Sequence, residues 1–291
     1  MLPSKFLQRN SINDTICVVI VILSLNLSSL LLLSHAYVPH HRFIYGGCSQ
    51  DKYQPNSPFE SSLTSFFSSL SSSSSQSSYN SFAIGNTTSS PSSDSTIFGL
   101  YQCRGDLQLK DCSKCIASCV SQIGLICPYA SGASLQLEEC YIRYERFDFL
   151  GKLDTSVRFK KCSKSVANDE EFYRRRDDVL ADLEASSGFR VRTSGFVEGF
   201  GQCLGDLSSE DCSACLADAV RKLKSLCGSA AAADVFLGQC YARYWASGYY
   251  NEPDYSSNKD QVGKSVAIIV GVLAGLAILI VLLSICRKAM D

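Results

Sequence analysis

Cysteine carries most of the chemistry this sequence could perform. From Cys103 to Cys140 the spacing is C-x8-C-x2-C-x11-C-x12-C, and Cys203 to Cys240 repeats it residue for residue. Thiols placed this way could bind zinc, exchange electrons or close disulfides. The C-x2-C pairs Cys112/Cys115 and Cys212/Cys215 have ligand-like spacing, but structural zinc takes a closed set of four ligands. Fifteen cysteines in 291 residues point to an oxidising compartment, where cysteines that come in sets favour disulfides over zinc or a redox pair. Disulfides are therefore the expected use, with no metal and no cofactor.

Other chemistries are narrowed by what is scarce. The three histidines, His35, His40 and His41, all sit near the N-terminus, so the rest of the chain offers no imidazole for a Ser-His-Asp or Cys-His site. Carboxylate-only chemistry, as in glycoside hydrolysis, survives that exclusion. Glu138, Glu139 and Glu145 are its candidates, and they read as solvated surface acids. Arg174-Arg175-Arg176 reads as a solvated helix face. With 27 basic against 28 acidic residues, the chain has no broad electrostatic grip for nucleic acid. The reading is of a protein that is not an enzyme.

These cysteines sit in a tandem repeat with an offset of 100 residues. Gln102-Cys103-x-Gly105-Asp106-Leu107 matches Gln202-Cys203-x-Gly205-Asp206-Leu207, and Cys140-Tyr141-x-Arg143-Tyr144 matches Cys240-Tyr241-x-Arg243-Tyr244. Five cysteines cannot pair among themselves, so each copy needs a sixth upstream, for which Cys48 and Cys162 are the candidates. Six cysteines still leave 15 connectivities per copy. The first copy is longer upstream because of a Ser-rich stretch, 71–95, read as a solvated loop. It contains the N-glycosylation acceptor Asn86-Thr87-Thr88.

Within each copy, Arg42 to Gly46 reads as a strand. Phe59, Leu63, Phe66, Phe67 and Leu70 recur at helical spacing, as do Phe172, Val179, Leu180 and Leu183. Asp111 and Asp211 read as caps of a second helix, with Cys115, Ile116, Cys119 and Ile123 as its inward stripe. Leu135 to Tyr144 and Val235 to Tyr244 read as long strands. The fold class expected is α+β: two tandem disulfide-stapled modules, each an antiparallel sheet with two helices.

Both ends of the chain are apolar. Lys5 and Arg9 precede a run from Ile16 to Leu33, and Ser34-His35-Ala36 supplies the small residues of a cleavage site, so 1–36 reads as a signal peptide. Modules at 37–150 and 151–255 follow, then a juxtamembrane linker, 256–265. Val266 to Ile285 is an uncharged run of 20 residues, which at 1.5 Å per residue spans a bilayer core of about 30 Å. Arg287 and Lys288 place the tail, 286–291, in the cytosol. Gly271-x3-Gly275 permits close helix packing in the membrane, and Cys286 is a candidate for palmitoylation. Cys17 leaves with the signal, and Cys119, opposite Ala219 in the repeat, is a buried unpaired residue.

The C-x8-C-x2-C core with Gly-Asp-Leu in its first gap resembles the plant ginkbilobin-type, salt-stress-response/antifungal domain. Two such domains, a signal, one C-terminal span and a minimal tail resemble the plasmodesmata-located protein family. The resemblance implies the pairings Cys48–Cys127, Cys103–Cys112, Cys115–Cys140, Cys162–Cys227, Cys203–Cys212 and Cys215–Cys240. It implies a single-pass plasma-membrane protein at plasmodesmata with extracellular modules. Control of cell-to-cell movement, callose deposition and plant defence signalling follow from it. The partners it implies are other copies, membrane proteins, receptor-like kinases and viral movement proteins. In the antifungal founder, mannose is held by an Asn, an Arg and a Glu. The matching positions here are Ser49, Ser134 and Glu145, then Ser163, Asp234 and Trp245, so Glu145 alone carries over as a sugar contact. The alternative reading is a membrane-anchored module that binds cell-wall glycan. A receptor-like kinase of the cysteine-rich class would need a kinase domain, for which the tail leaves no room.

Overall fold

The computed structural model describes residues 41–85, 95–167 and 169–247. The expected signal peptide, the expected membrane span with Gly271 and Gly275, Cys286 and the candidate acceptor Asn86 lie outside the described residues. Among the described residues no helix is long and apolar enough to cross a membrane.

The first module runs β1 (Phe43–Cys48), α1 (Pro58–Ser73), β2 (Tyr79–Ile84), β3 (Ile97–Cys103), α2 (Leu109–Ile126), β4 (Ala133–Leu137) and β5 (Cys140–Glu145). Its strands form one antiparallel sheet in the order β1-β4-β5-β3-β2. The second module repeats this as β6 (Val157–Cys162), α3 (Glu170–Glu184), β7 (Arg190–Ser194), β8 (Val197–Cys203), α4 (Ser209–Cys227), β9 (Ala232–Leu237) and β10 (Cys240–Ala246), with sheet order β6-β9-β10-β8-β7. Each sheet carries its two helices on one face.

Helical spacing explains the cores. Phe59, Leu63, Phe66 and Leu70 of α1 and Cys112, Cys115, Ile116, Cys119 and Ile123 of α2 are buried against Leu135, Ile142 and Tyr144. Phe172, Val179, Leu180 and Leu183 do the same in the second module. Sulfur–sulfur bonds tie these layers together. Cys48 is bonded to Cys127, Cys103 to Cys112 and Cys115 to Cys140. Cys162 is bonded to Cys227, Cys203 to Cys212 and Cys215 to Cys240. The 103–112 and 115–140 bridges put each C-x2-C pair into different bonds, so neither pair offers two thiolates to a metal.

Three expectations are corrected. The Ser-rich stretch is not one loop: its start completes α1 and Tyr79–Ile84 forms edge strand β2. Ser65, Ser69 and Ser71 donate to the carbonyls of Ser61, Ser65 and Phe67 one turn back, so the hydroxyls are satisfied within the helix. Phe82 then packs edge-on to Phe66. The long strands are hairpins, because the chain reverses at Glu138-Glu139 and at Gly238-Gln239.

The second helices are not capped by aspartate. Ser208 caps α4 by accepting from the Asp211 amide at 3.1 Å, and its hydroxyl donates to the Asp211 carboxylate at 2.8 Å. Gln108 occupies the same position on α2 with no side-chain cap. Gln108→Ser should therefore stabilise the protein by about 0.5–1 kcal/mol, read as a higher denaturant midpoint at unchanged slope.

Candidate functional site

The faces of the two sheets that do not carry helices meet in a seam. Tyr45 stacks on Phe159 with ring centroids 5.9 Å apart and meets Phe236 edge-on at 5.7 Å; Phe236 stacks on Tyr241 at 4.9 Å. Ile44, Leu100, Phe149 and Leu204 complete this third apolar cluster. Burial pushes the Tyr45 and Tyr241 hydroxyls well above the ordinary tyrosine range and raises that of Tyr141.

The repeat makes the polar part of the seam reciprocal. Gly205 N–H donates to Gln102 Oε1 at 3.0 Å, and Gly105 N–H donates to Gln202 Oε1 at 3.3 Å. Gln202 Nε2 also donates to the Cys103 carbonyl at 3.1 Å. The Gly-Asp-Leu glycines are needed for close approach: a methyl group at Gly105 would fall 2.5 Å from Phe189, and one at Gly205 would fall 2.7 Å from Tyr79. Arg243, 1% exposed, donates from Nε to Asp234 Oδ1 at 2.7 Å and from Nη1 to Glu138 of the other module. The seam encloses a cavity of about 20 Å³, room for roughly one water and no larger ligand.

The carboxylates considered for catalysis are engaged here. Glu138 pairs with Arg243 and lies near Arg42, whereas Glu139 accepts from His41 Nδ1 at 2.7 Å. Neither is a solvated surface acid. His41 is folded into the first module, its side chain 9% exposed, and its ring lies in one cluster with Glu139 and Cys115. The Cys115 sulfur is bonded to Cys140, so this cluster lacks a thiolate ligand. A position near the N-terminus gives no sign of this placement.

Glu145 and Ser49 come together around Gly132. Ser49 Oγ accepts from the Gly132 amide at 3.1 Å and donates to the Asp51 carbonyl at 2.9 Å. The Glu145 carboxylate lies against Gly132 and accepts from Arg143 Nη2 at 3.1 Å. Partial burial raises its pKa above the usual carboxylate value, and Arg143 opposes that rise. Ser134 stands opposite Arg143 in the β4–β5 register. The polar atoms at this pole are thus largely committed to internal partners. In the second module the equivalent pole holds Trp245, edge-on to Phe200, and the Asp234–Arg243 pair.

Two residues depart from the sequence reading or give it substance. Arg176 is not solvated: it is 8% exposed, lies over the Tyr173 ring and donates to the Gly228 carbonyl at 2.8 Å. Cys119 is fully buried, its sulfur 3.5 Å from Cys140 Sγ, and burial pushes its thiol pKa up.

Two disulfide-stapled five-stranded modules joined through a reciprocal glutamine–glycine seam define a tandem cysteine-rich protein. The family profile described as "Salt stress response/antifungal" matches residues 47–146 and 160–247, one match per module. Plasmodesmata-located protein 8 of Arabidopsis thaliana is 65% identical over 252 residues, covering 86% of this chain and 90% of the relative. Plasmodesmata-located protein 6 of the same plant is 45% identical, covering 86% and 89%. The antimicrobial ginkbilobin-2-like protein of Castanea crenata is 27% identical, covering 69% and 86%. The crystal structure of the tandem ectodomain of plasmodesmata-located protein 8, a cysteine-rich receptor-like protein, superposes with a TM-score of 0.68 at 62% identity. The match covers 72% of this chain and all of that one. The chain belongs to the plasmodesmata-located protein family.

Proposed function

We propose that this chain is a non-enzymatic, single-pass membrane adaptor that works at plasmodesmata and modulates traffic between cells. The observation that carries this reading is the similarity to plasmodesmata-located protein 8, which extends along most of both chains rather than one module. The seam supports it physically. Buried aromatic rings, reciprocal hydrogen bonds and the Arg243–Glu138 pair fix the modules against one another, so the ectodomain can present both as one body. The acids that could have served catalysis are held by Arg243 and His41 instead of facing one another across a cleft. The 266–285 span would anchor this body, and its Gly271/Gly275 face would pack against other copies or other membrane proteins.

A fluorescent fusion of the full chain, expressed in plant epidermis, is expected to label discrete puncta at walls between adjoining cells, coincident with a plasmodesmal marker. Uniform labelling of the plasma membrane would count against the reading.

A further inference from the structure

The first module buries one thiol that no bridge uses. Cys119 lies one helical turn after Cys115 on α2 and is fully buried. Its sulfur is 3.5 Å from Cys140 Sγ, one half of the Cys115–Cys140 bridge. The second module has Ala219 at the same position, equally buried, on the helix that carries the equivalent Cys215–Cys240 bridge. A methyl group is enough to pack this site, so the thiol is an addition of the first module alone.

The other sulfur of that bridge has a second set of neighbours. Cys115 Sγ, a Glu139 carboxylate oxygen and a ring nitrogen of His41 lie within 4.8 Å of one another. His41 Nδ1 donates to Glu139 at 2.7 Å, because an ionised carboxylate can only accept. Nε2 then carries the lone pair, and it is buried without a hydrogen-bond partner. A buried polar atom left unpaired calls for a reason. Bonded to Cys140, Cys115 has no proton to offer the ring; as a free thiol it would have one. This cluster also belongs to the first module alone. Phe43 and Val157 hold equivalent register positions, opposite Leu137 and Leu237, which puts Thr155 and Gln239 where the first module has His41 and Glu139.

We propose that in the folded chain Cys119 exchanges onto Cys140 and releases Cys115 as a reactive thiol beside His41 and Glu139, a site for modification by a soft electrophile. The step balances without an oxidant. Cys119, as its thiolate, attacks Cys140 Sγ; the 119–140 bond forms as the 115–140 bond breaks, and the electron pair leaves on Cys115 Sγ. The proton given up by Cys119 ends on the released sulfur or on His41, whose imidazolium stabilises a thiolate. Sequence separations of 25 and 21 make the two bridges nearly equal in chain constraint. The two thiols are not equal in reactivity. Burial pushes the Cys119 thiol pKa up, which keeps Cys119 itself inert towards reagents and makes the exchange slow. Cys115 gains an imidazole, and the neighbouring Glu139 keeps 32% side-chain exposure, which opens the cluster to solvent.

The test incubates the oxidised, detergent-solubilised full chain with iodoacetamide at mildly alkaline pH and maps its peptides without reduction. Carbamidomethylation of Cys115 is expected to accumulate with time, in molecules whose Cys119 is joined to Cys140. Cys215 and Cys240 should stay bonded to each other and unlabelled. Cys119→Ala installs the second module's residue and should abolish labelling of Cys115. His41→Gln should slow it by about tenfold or more, as for loss of an acid–base group. Glutamine can still donate to Glu139, so a slower rate reports the imidazole and not simple support. Labelling of Cys119 with the Cys115–Cys140 bond intact, no labelling of either cysteine, labelling of Cys115 that persists in Cys119→Ala, or an equal rate in His41→Gln would each overturn the proposal.

Discussion

Replacing Arg243 by methionine is expected to lower the melting temperature by roughly 6–20 °C, through a loss of about 3–5 kcal/mol in a unit of this size. Arg243 is 1% exposed and Asp234 4%. The guanidinium satisfies that carboxylate through Nε and Nη2, at 2.7 and 3.3 Å, and Glu138 through Nη1. Methionine fills a similar volume, so the loss comes from Asp234, left as a buried charge without its partner. The double variant Arg243→Met, Asp234→Ala removes both charges and should recover most of the stability. A double variant no more stable than the single would show that the arginine acts by packing on Phe200 and Phe236 instead. Arg143→Met is the internal control. Its position faces Ser134 rather than an aspartate, and its partner Glu145 keeps 18% side-chain exposure. Glu145 can therefore recover solvation, and a smaller loss is expected.

That contrast marks what could be read from the sequence. The modules, their helices and the inward stripe of α2 were legible because each rests on local periodicity or on spacing repeated twice. The hairpins were not. Leu135–Tyr144 is apolar at both ends, and the carboxylates at Glu138 and Glu139 look like an exposed strand edge until their partners, Arg243 of the other module and His41 of the same one, are known. His41 lies near the N-terminus of the sequence, yet the chain entering β1 places it beside the start of α2, where Glu139 holds it. Arg176 sits in a run of three arginines, and only the helix phase, fixed by Phe172 and Val179, turns it inward. For the carboxylates and His41 the missing information was tertiary, whereas for Arg176 it lay in the helix phase itself. A charge reads as solvated until the group that replaces its water is located.

Opening one bridge in each module should give unequal results. Cys215→Ala removes the Cys215–Cys240 link, which closes a sequence separation of 25, and the chain-entropy argument puts its loss at about 3–4 kcal/mol. Cys115→Ala removes the equivalent link, also with a separation of 25, but leaves Cys119 one helical turn on. Its sulfur already lies 3.5 Å from Cys140 Sγ, with a separation of 21. During oxidative folding Cys119 can close on Cys140 instead, and a loop of similar length restores most of the constraint. The loss expected for Cys115→Ala is therefore under about 1–2 kcal/mol. Peptide mapping without reduction should find Cys119 joined to Cys140. Cys115→Ala, Cys119→Ala should then fall to the level of Cys215→Ala, whose module has Ala219 at that position and no substitute thiol. Equal losses for the two single variants would mean that the α2 backbone holds Cys119 in contact with Cys140 but out of bonding range. Its role in the native chain would then be to fill the core, as Ala219 does.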